Sequence, residues 1–236
     1  MQHIIDNVYG MMSFFQYLNF YLIDTGAGYL VVDTGVSKSS IKMIERGLKI
    51  FNSSLDDVKA ILITHCHGDH TGGLPALQAR LPNVPTYAHQ LDAPYIRGEK
   101  PPANASKSDL GFFNRMMLSV LPKAYPTGRV DVEVEDGDVL DDLLPGLTVV
   151  HLPGHSYGQV GYWLPEARVL IGGDVMMSMP FGLRMPLHAP SPEWETAKAS
   201  IRKVAEMNVR VLCVGHGSPV MGDADIAVEK LVKRIG

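Results

Sequence analysis

Residue types that bind metal ions are concentrated in the segment 65–70, which directly follows a short apolar run. His65 and His67 lie two positions apart, so in an extended chain both imidazoles point to the same side and can bind one cation. Asp69 and His70 follow in the next turn, where they can face a second cation beside the first. Loops that follow buried strands often carry functional sites. The segment therefore predicts a metal site, not a surface loop that happens to be rich in histidine.

The elements that position this segment are predicted from hydrophobic patterns. Short runs rich in β-branched and aromatic residues, bounded by Gly and Pro, are typical of strands. The run 58–63 (VKAILI) is almost continuously apolar, which indicates a strand buried on both faces. Strands are predicted at residues 3–9, 15–23, 29–32, 58–63, 85–88, 130–134, 147–151, 160–164, 169–171 and 209–214.

A helical period separates several of these strands. Ile41, Ile44, Leu48 and Phe51 recur at the spacing of one helix face, which predicts an amphipathic helix after the third strand. Because strands and helices alternate along the whole chain, we expect one layered α/β domain. The remaining helices are predicted at residues 71–81, 193–207 and 224–234.

The segment 98–126 differs from the rest of the predicted domain, which covers residues 1–236. Prolines flank an apolar patch that contains Phe112, Phe113 and Met116. A flexible linker would be more polar. The segment is therefore predicted to be an inserted helical lid or wall.

Composition and charge exclude several classes of protein. The 236 residues are 46% hydrophobic and 19% charged, which is typical of a globular chain and excludes a disordered one. The 21 Lys and Arg against 25 Asp and Glu give a formal net charge of −4, which disfavours nucleic acid as a partner. The two cysteines, Cys66 and Cys213, argue against a disulfide framework and fit a reducing compartment.

Membrane and export signals are not found in the sequence pattern. No apolar run reaches the roughly 18 residues that a membrane-spanning helix needs. The first residues also lack the basic region of a signal peptide. We therefore expect a soluble, cytoplasmic protein with neither membrane nor nucleic acid as its partner.

Several short motifs resemble those of the metallo-β-lactamase superfamily. The stretch THCHGDHTGG at 64–73 is similar to the HxHxDH motif of that family, and VVDTG at 31–35 resembles its early strand motif. Downstream, LPGHSYGQV, IGGDV and VGHG match the later ligand motifs at His155, Asp174 and His216, in the family order. The resemblance covers most of the chain. It implies a four-layered αβ/βα fold, in which two mixed β-sheets are sandwiched between helices.

The resemblance also implies a dinuclear metal centre. Imidazoles and carboxylates favour Zn²⁺, and Fe or Mn also fit this donor set. The implied ligands are His65, His67 and His155 for one ion, Asp69, His70 and His216 for the other, and Asp174 as the bridge between them.

Such a centre suits hydrolysis. Two cations about 3.5–4 Å apart would hold a hydroxide between them and lower its pKa toward neutrality. The hydroxide would attack a carbonyl or phosphoryl centre while the cations stabilise the oxyanion and the leaving group. Asp69 is placed to orient the hydroxide and to pass its proton to the leaving group, which makes it the candidate catalytic residue. No side-chain nucleophile is required.

Two further features each have two interpretations. Asp33 either orients a ligand from behind or caps the turn before the helix that follows. The stretch 176–181 (MMSMPF), with Phe113 and Met117 of the inserted segment, either forms a flexible apolar substrate pocket or only closes the core beneath a loop. If the pocket forms, it favours an uncharged or acyl-bearing substrate. The candidate substrate-binding residues are Phe113, Met117, Met177, Phe181 and Tyr157.

Comparison with individual branches of the family narrows the activity. Zinc β-lactamases are exported and lack the bridging Asp. Glyoxalase II enzymes have a C-terminal helical domain and a GHEYT-like stretch where this chain has GHGSP. Ribonuclease Z enzymes carry a basic arm, and flavodiiron proteins have Glu in the place of a first-motif His, unlike His67 here. N-acyl homoserine lactonases resemble the chain most in size, metal set and apolar cleft.

The resemblance to the lactonases has one departure. Those enzymes place a Tyr three residues after the bridging Asp, where this chain has Met177, and Tyr157 or Tyr95 are candidates to replace it. We expect a metal-dependent hydrolase of a carboxylic ester, lactone or thioester. The alternatives are a phosphodiesterase and a mononuclear iron oxygenase similar to the persulfide dioxygenases. The presence of both His70 and His216 favours two metal ions over one.

Overall fold

The pattern of burial along the strands sets the layers of the fold. In the computed structural model, which describes residues 1–13 and 17–236, successive residues of the third strand face opposite sides of a sheet. Phe20 and Leu22 pack under helices, whereas Tyr21 and Ile23 pack between two sheets. A strand that is covered on both faces must be apolar at nearly every position, as this one is.

The larger sheet has seven strands and the smaller has four. In the seven-stranded sheet, strands that follow one another along the chain are also neighbours. These strands are β1 (Gln2–Ile5), β2 (Val8–Ser13), β3 (Leu18–Asp24), β4 (Tyr29–Val32), β5 (Val58–Leu62), β6 (Thr86–His89) and β7 (Val132–Val134). The strands of the smaller sheet are β8 (Thr148–His151), β9 (Val160–Leu164), β10 (Val169–Gly173) and, after the separate hairpin of β11 (Met177–Met179) and β12 (Gly182–Arg184), β13 (Val211–Val214).

The seven-stranded and the four-stranded sheet each contain both parallel and antiparallel strand pairs. In the seven-stranded sheet, β1 to β4 pair antiparallel and β4 to β7 pair parallel. In the four-stranded sheet the order is β13–β10–β9–β8, and only the β10–β13 pair is parallel. The helices are α1 (Ser39–Ile50), α2 (Gly68–Thr71), α3 (Leu74–Arg80), α4 (Ala93–Ile96), α5 (Phe112–Val120), α6 (Trp194–Glu206) and α7 (Ala224–Ile235).

Three apolar clusters hold these layers together. The first lies between the seven-stranded sheet and the helices α1 and α3. The second lies between the two sheets, where Tyr21 of β3 and Tyr162 of β9 are both buried. The third lies between the four-stranded sheet and the helices α6 and α7. The order helix, sheet, sheet, helix confirms the four-layered αβ/βα fold predicted from the motifs.

Some predicted elements are divided in the structure. The strand predicted at 3–9 is a hairpin of β1 and β2, because Asp6 adopts a left-handed φ of 44° and reverses the chain. The helix predicted at 71–81 is interrupted between α2 and α3, at Gly72 and Gly73. The strand predicted at 15–23 is present from Leu18 as β3, and its predicted start lies outside the described residues.

The segment 98–126 contains a 3-10 turn at Lys107–Asp109 and the helix α5. No residue of α5 is buried. Instead, partly buried side chains that include Met117 pack on a small cluster with Ala105 and Ala189, and the Ala105 N–H donates to the Ala189 carbonyl over 3.1 Å. The segment therefore rests on the loop that precedes α6. Its role as a lid or wall inserted in a single domain stays a prediction.

In the part of the chain that the structure describes, no helix is both long enough and apolar enough to cross a membrane.

Helix α1 offers a matched test of this packing. Ile44 is 0% exposed and Ile50 is 63% exposed on the same helix. We expect Ile44→Ala to lower the free energy of unfolding by about 2–5 kcal/mol, because it leaves a cavity beneath the seven-stranded sheet. Ile50→Ala should change it by less than about 0.5 kcal/mol. Urea unfolding followed by circular dichroism measures both, and equal losses would contradict this packing.

Candidate metal centre

The predicted ligand residues all follow strands of the two sheets and meet at one edge. The segment 65–70 follows β5 of the seven-stranded sheet. His155 lies between β8 and β9, Asp174 follows β10, and His216 follows β13, all in the four-stranded sheet. Ends of strands that point the same way place their loops together, which is where sites form in layered α/β folds. The edge therefore receives ligand-type side chains from both sheets.

Seven side chains at this edge form three groups, each with its ligand-type atoms within 4.8 Å of one another. Six of these side chains are buried, and Asp69 is partly exposed. The groups overlap in His65 and His70, so they make one continuous cluster. They are His65, His67 and His155; His65, His70 and Asp174; and Asp69, His70 and His216.

Asp174 lies between the two groups expected to bind separate ions. Its Oδ2 is 3.4 Å from Nε2 of His155 and 3.1 Å from Nε2 of His216. Its Oδ1 is 3.5 Å from Nε2 of His70. Asp69 completes the second group, with its Oδ2 3.2 Å from Nε2 of His216. One carboxylate thus faces nitrogen atoms of both groups, as a bridging ligand must.

Glycine is required where the chain passes behind the Asp174 carboxylate. A Cβ atom on Gly215 would lie 2.1 Å from Oδ1 of Asp174 and 2.6 Å from Cε1 of His70. Any side chain there would displace two of the ligand-type groups. The backbone around it is fixed by Asn19 of β3, whose amide donates to the carbonyls of Val214 and Gly217 over 2.9 and 2.5 Å. The last loop of the site is therefore held by the opposite sheet.

A buried carboxylate orients two of the histidines. Asp33 accepts a hydrogen bond from Nδ1 of His70 over 2.7 Å and one from the Thr64 hydroxyl over 2.8 Å. Since that hydroxyl gives its proton to Asp33, its contact of 3.1 Å with Nδ1 of His65 is one in which the imidazole donates. Both rings then carry a proton on Nδ1 and turn Nε2 toward the site.

This network settles which interpretation of Asp33 fits the structure. Its side chain lies behind the ligand-type histidines, as the orienting interpretation requires. The helix α1 has Lys38 at its N-cap and no side-chain capping bond. The next residue holds the backbone of His70, because the Thr34 hydroxyl and the Thr34 N–H both donate to the His70 carbonyl, over 2.9 and 2.7 Å.

His155 is oriented by a hydroxyl that the sequence analysis missed. The Ser191 hydroxyl donates to the Leu187 carbonyl over 2.5 Å, so it accepts from Nδ1 of His155 over 2.9 Å. This leaves Nε2 of His155 free, and it lies 2.9 Å from Nδ1 of His67. Two ring nitrogens of different loops therefore face each other at a distance that suits a shared cation.

The cluster passes a test of fit for cations. Nε2 of His65, Nε2 of His70 and Oδ1 of Asp174 are buried and have no hydrogen-bond partner among the described residues. Leaving such atoms without a partner is costly. Burial, with the neighbouring His155, lowers the pKa of His67 to about 3, so this imidazole is neutral and able to ligate. Neutral imidazoles beside carboxylates are a suitable donor set for divalent metal ions.

A cavity of about 450 Å³ opens onto this cluster. The ring of Tyr17 lies 5.1 Å from that of His216, and the ring of Tyr125 lies 5.8 Å from that of His67. No Lys or Arg is among the described residues that line the cavity. The other apolar lining residues are Val36, Leu121, Pro122, Ala124, Pro126, Met177, Leu187 and Pro190.

The structure brings only part of the predicted substrate set to this cavity. Met177 lines it and is buried. Phe113 and Phe181 are 67% and 86% exposed and do not line it, and Met117 packs beside Ala105. Tyr157 lies behind the site, where its carbonyl contacts Nε2 of His151 over 2.9 Å. Substrate contacts of these four residues stay predictions that the cavity lining does not support.

The cavity residues missed from the sequence include Tyr17, Tyr125 and Leu187. Tyr17 directly precedes β3 within the predicted strand 15–23, Tyr125 lies near the end of the segment 98–126, and Leu187 lies in an irregular loop. These patterns predict a strand and a lid, but they do not show which of their side chains face the cavity.

Comparison with known proteins agrees with this geometry. A family model described as "Metallo-beta-lactamase superfamily" matches residues 15–216. The probable metallo-hydrolase YflN of Bacillus subtilis (strain 168) is 29% identical over 216 residues, which are 82% of this chain and 77% of that protein. The atrochrysone carboxyl ACP thioesterase dmxR1 of Cryptosporiopsis sp. (strain 8999) is 30% identical over 159 residues, 66% of this chain and 37% of that protein.

Solved structures show the same fold. The structure of TTHA1623 in a di-iron-bound form is 25% identical, with a TM-score of 0.64 over 90% of this chain and 94% of that one. BJP-1, a subclass B3 metallo-beta-lactamase of Bradyrhizobium japonicum, is 24% identical, with a TM-score of 0.69 over 99% of this chain and 90% of that one. The second likeness supports the fold alone.

The network behind the histidines predicts how metal binding responds to substitution. Asp33→Asn replaces one acceptor oxygen with an NH₂ group, so it should disturb His70, and His65 through Thr64. We expect the zinc affinity of the purified protein to fall by about 10–100-fold, measured by competition with a chelator of known affinity. Asp24→Asn is the control, because among the described residues that side chain accepts only the Gly26 N–H, in an exposed turn. Unchanged zinc affinity in Asp33→Asn would contradict the orienting role.

Proposed function

The chain belongs to the metallo-beta-lactamase superfamily, and on that premise we propose that it is a metal-dependent hydrolase of carboxylic esters, lactones or thioesters. One observation carries the proposal: at the floor of an apolar cavity, Asp174 lies between two groups of ligand-type atoms, with its Oδ2 3.4 Å from Nε2 of His155 and 3.1 Å from Nε2 of His216. The name of the relative dmxR1 gives thioester hydrolysis separate support.

The residues present would hold two divalent ions. One would bind to His65, His67 and His155, and the other to the group that contains Asp69, His70 and His216, with Asp174 between them. When bound, the ions supply Lewis acidity that polarises a carbonyl group and makes water more acidic. The donor set favours zinc, and iron or manganese also fits it.

Asp69 is the residue proposed to move the proton. Its side chain is 40% exposed and lines the cavity, unlike the buried Asp174. Although burial opposes ionisation, His70 and His216 hold the pKa of the Asp69 carboxyl well below its usual range. A carboxylate there can accept a proton from attacking water and return it to the leaving group.

The cavity supports an acyl substrate over a polyanion. Tyr17 and Tyr125 stand on either side of the ligand-type histidines, with Leu187 and Met177 in the same lining. Apolar walls stabilise an acyl chain by burial. A polyanion would need cationic side chains in addition to the metal ions to offset its further charges, and the described part of the lining holds no Lys or Arg. The substrate is therefore proposed to be small, acyl-bearing or uncharged.

The mononuclear alternative is less well supported. An oxygenase similar to the persulfide dioxygenases would need only two histidines and Asp174. Here His70 and His216 lie within one compact group with Asp69, at distances that suit a second ion. The two complete groups favour the dinuclear hydrolase.

A panel assay on zinc-loaded protein tests the proposed reaction. We expect acid release from lactones, acyl esters or thioesters, measured with a pH indicator, and little from a phosphodiester or a β-lactam. Asp174→Asn should lower turnover by several orders of magnitude, because it removes the charge that bridges both groups. Asp56→Asn, on an exposed turn, is the matched control.

Each outcome of the panel has a consequence. Full activity in Asp174→Asn would overturn the assigned centre, with circular dichroism to show that the variant folds. Activity confined to the phosphodiester would make the chain a phosphodiesterase. Activity toward none of the substrates, together with about one iron per chain, would support the oxygenase.

The apolar lining predicts a preference for longer acyl chains. Leu187 is 44% exposed at the cavity, and Ile226 is similarly exposed on α7, outside the lining. We expect Leu187→Ala to lower kcat/KM for a long acyl ester roughly tenfold, because several methylene contacts are lost. The value for an acetyl ester should stay nearly the same. Ile226→Ala should change neither, and an equal loss on both esters would contradict this use of the cavity.

A further inference from the structure

Asp92 is a buried carboxylate that the reaction proposed above does not use. It is the third residue after β6, is 1% exposed, and forms no ion pair with Lys or Arg among the described residues. It accepts three hydrogen bonds: from the Cys66 N–H over 2.9 Å, the Ser156 hydroxyl over 2.6 Å and the Gly158 N–H over 2.7 Å. A buried charge without a cation requires such donors to remain stable.

The three donors belong to two loops that carry ligand-type histidines. Cys66 lies between His65 and His67, in the loop after β5 of the seven-stranded sheet. Ser156 directly follows His155, in the loop between β8 and β9 of the four-stranded sheet. One carboxylate thus joins the two loops that together supply the three-histidine group. The connection crosses from one sheet to the other.

Two features of the local structure show that the side chain is committed to these loops. Asp92 is the N-cap residue of α4, a position that Asp favours for its capping bond, yet it makes no side-chain cap. On the other side, a Cβ atom on Gly158 would lie 2.5 Å from the Asp92 backbone nitrogen and 2.8 Å from its Cβ. Only glycine permits this close approach.

We propose that Asp92 is a positioning residue for the three-histidine group, and that it sets the separation between His155 and the pair His65 and His67. The proposal rests on the metal-binding part of the proposed function. It concerns one group only, since the other is held by different contacts. His70 is held by Asp33, and the loop of His216 is held by Asn19.

The consequence is selective loss of one metal ion. Asp92→Asn keeps the shape of the side chain but replaces one acceptor with an NH₂ group, which faces N–H donors. Substitution of a residue that orients a metal ligand typically lowers the metal affinity by about 10–100-fold. We therefore expect the three-histidine group of Asp92→Asn to bind zinc about 10–100-fold more weakly, while the second group keeps the wild-type affinity.

The experiment measures zinc per chain after dialysis against graded concentrations of a chelator, by mass spectrometry of the metal. Wild-type protein should lose its two ions at high chelator concentration. Asp92→Asn should lose one ion at a chelator concentration about 10–100-fold lower. Asp131→Asn is the control, because that carboxylate accepts the Thr86 N–H and contacts no loop of the site.

Two variants, each with one damaged ligand group, separate a positioning role of Asp92 from general destabilisation of the fold. In His155→Ala the three-histidine group is already incomplete, so adding Asp92→Asn should not lower the zinc content further. In His216→Ala, where only the second group is damaged, the same change should remove the remaining ion. If Asp92→Asn lowers the zinc content of both variants, Asp92 only supports the fold, and the proposal is overturned.

Further outcomes are distinguishable. If wild-type protein binds two ions and Asp92→Asn binds two equally tightly, the positioning role is wrong and the proposed function stands. If wild-type protein binds no zinc, iron or manganese, both are overturned. If Asp92→Asn does not fold, Ser156→Ala removes one of the three bonds and should weaken the binding of one ion by about threefold to tenfold, the effect of one lost hydrogen bond; no weakening would then overturn the proposal.

Discussion

Carboxylates and imidazole rings are buried together at one edge of the two sheets, and the rest of the structure depends on this constraint. Each imidazole there has two nitrogens, and both must be satisfied away from bulk water. The structure satisfies the rear nitrogens of His65, His70 and His155 through Thr64, Asp33 and Ser191. The front nitrogens are left facing one another and Asp174. A site of this kind is complete only when cations bind at its front.

The layered fold provides the opposing supports that this edge requires. Each sheet is covered by helices on its outer face and by the other sheet on its inner face, so the strand ends are fixed by packing on both sides. Side chains of the seven-stranded sheet then reach loops of the other sheet. Asn19 and Tyr21 of β3 both donate to the Val214 carbonyl. The loops that carry the ligand-type groups are therefore held by hydrogen bonds from the opposite sheet as well as by bonds within the loops.

The ligand-type residues and the layers of the fold could be predicted from the sequence. The residues that orient these ligand-type side chains, and those that line the cavity, could not. Closely spaced histidines after an apolar run are visible locally, and so are short runs rich in β-branched and aromatic residues, such as β3. Asp92 contacts Cys66 and Gly158 from 26 and 66 positions away, and Ser191 contacts His155 from 36. Contacts of that range leave no periodic pattern. Phe181 was assigned to a pocket by its residue type, but it lies on an exposed hairpin turn.

The spread of the ligand-type residues along the chain affects when the site can form. His65 becomes available early in synthesis, but His155 and His216 come from strands made later, and β13 must pair with β10 before His216 is in place. Because such distant segments meet late in folding, the nascent chain offers only a few scattered ligands to passing metal ions. The full affinity for metal ions then arises only when the two sheets pack together. Metal binding is therefore coupled to folding.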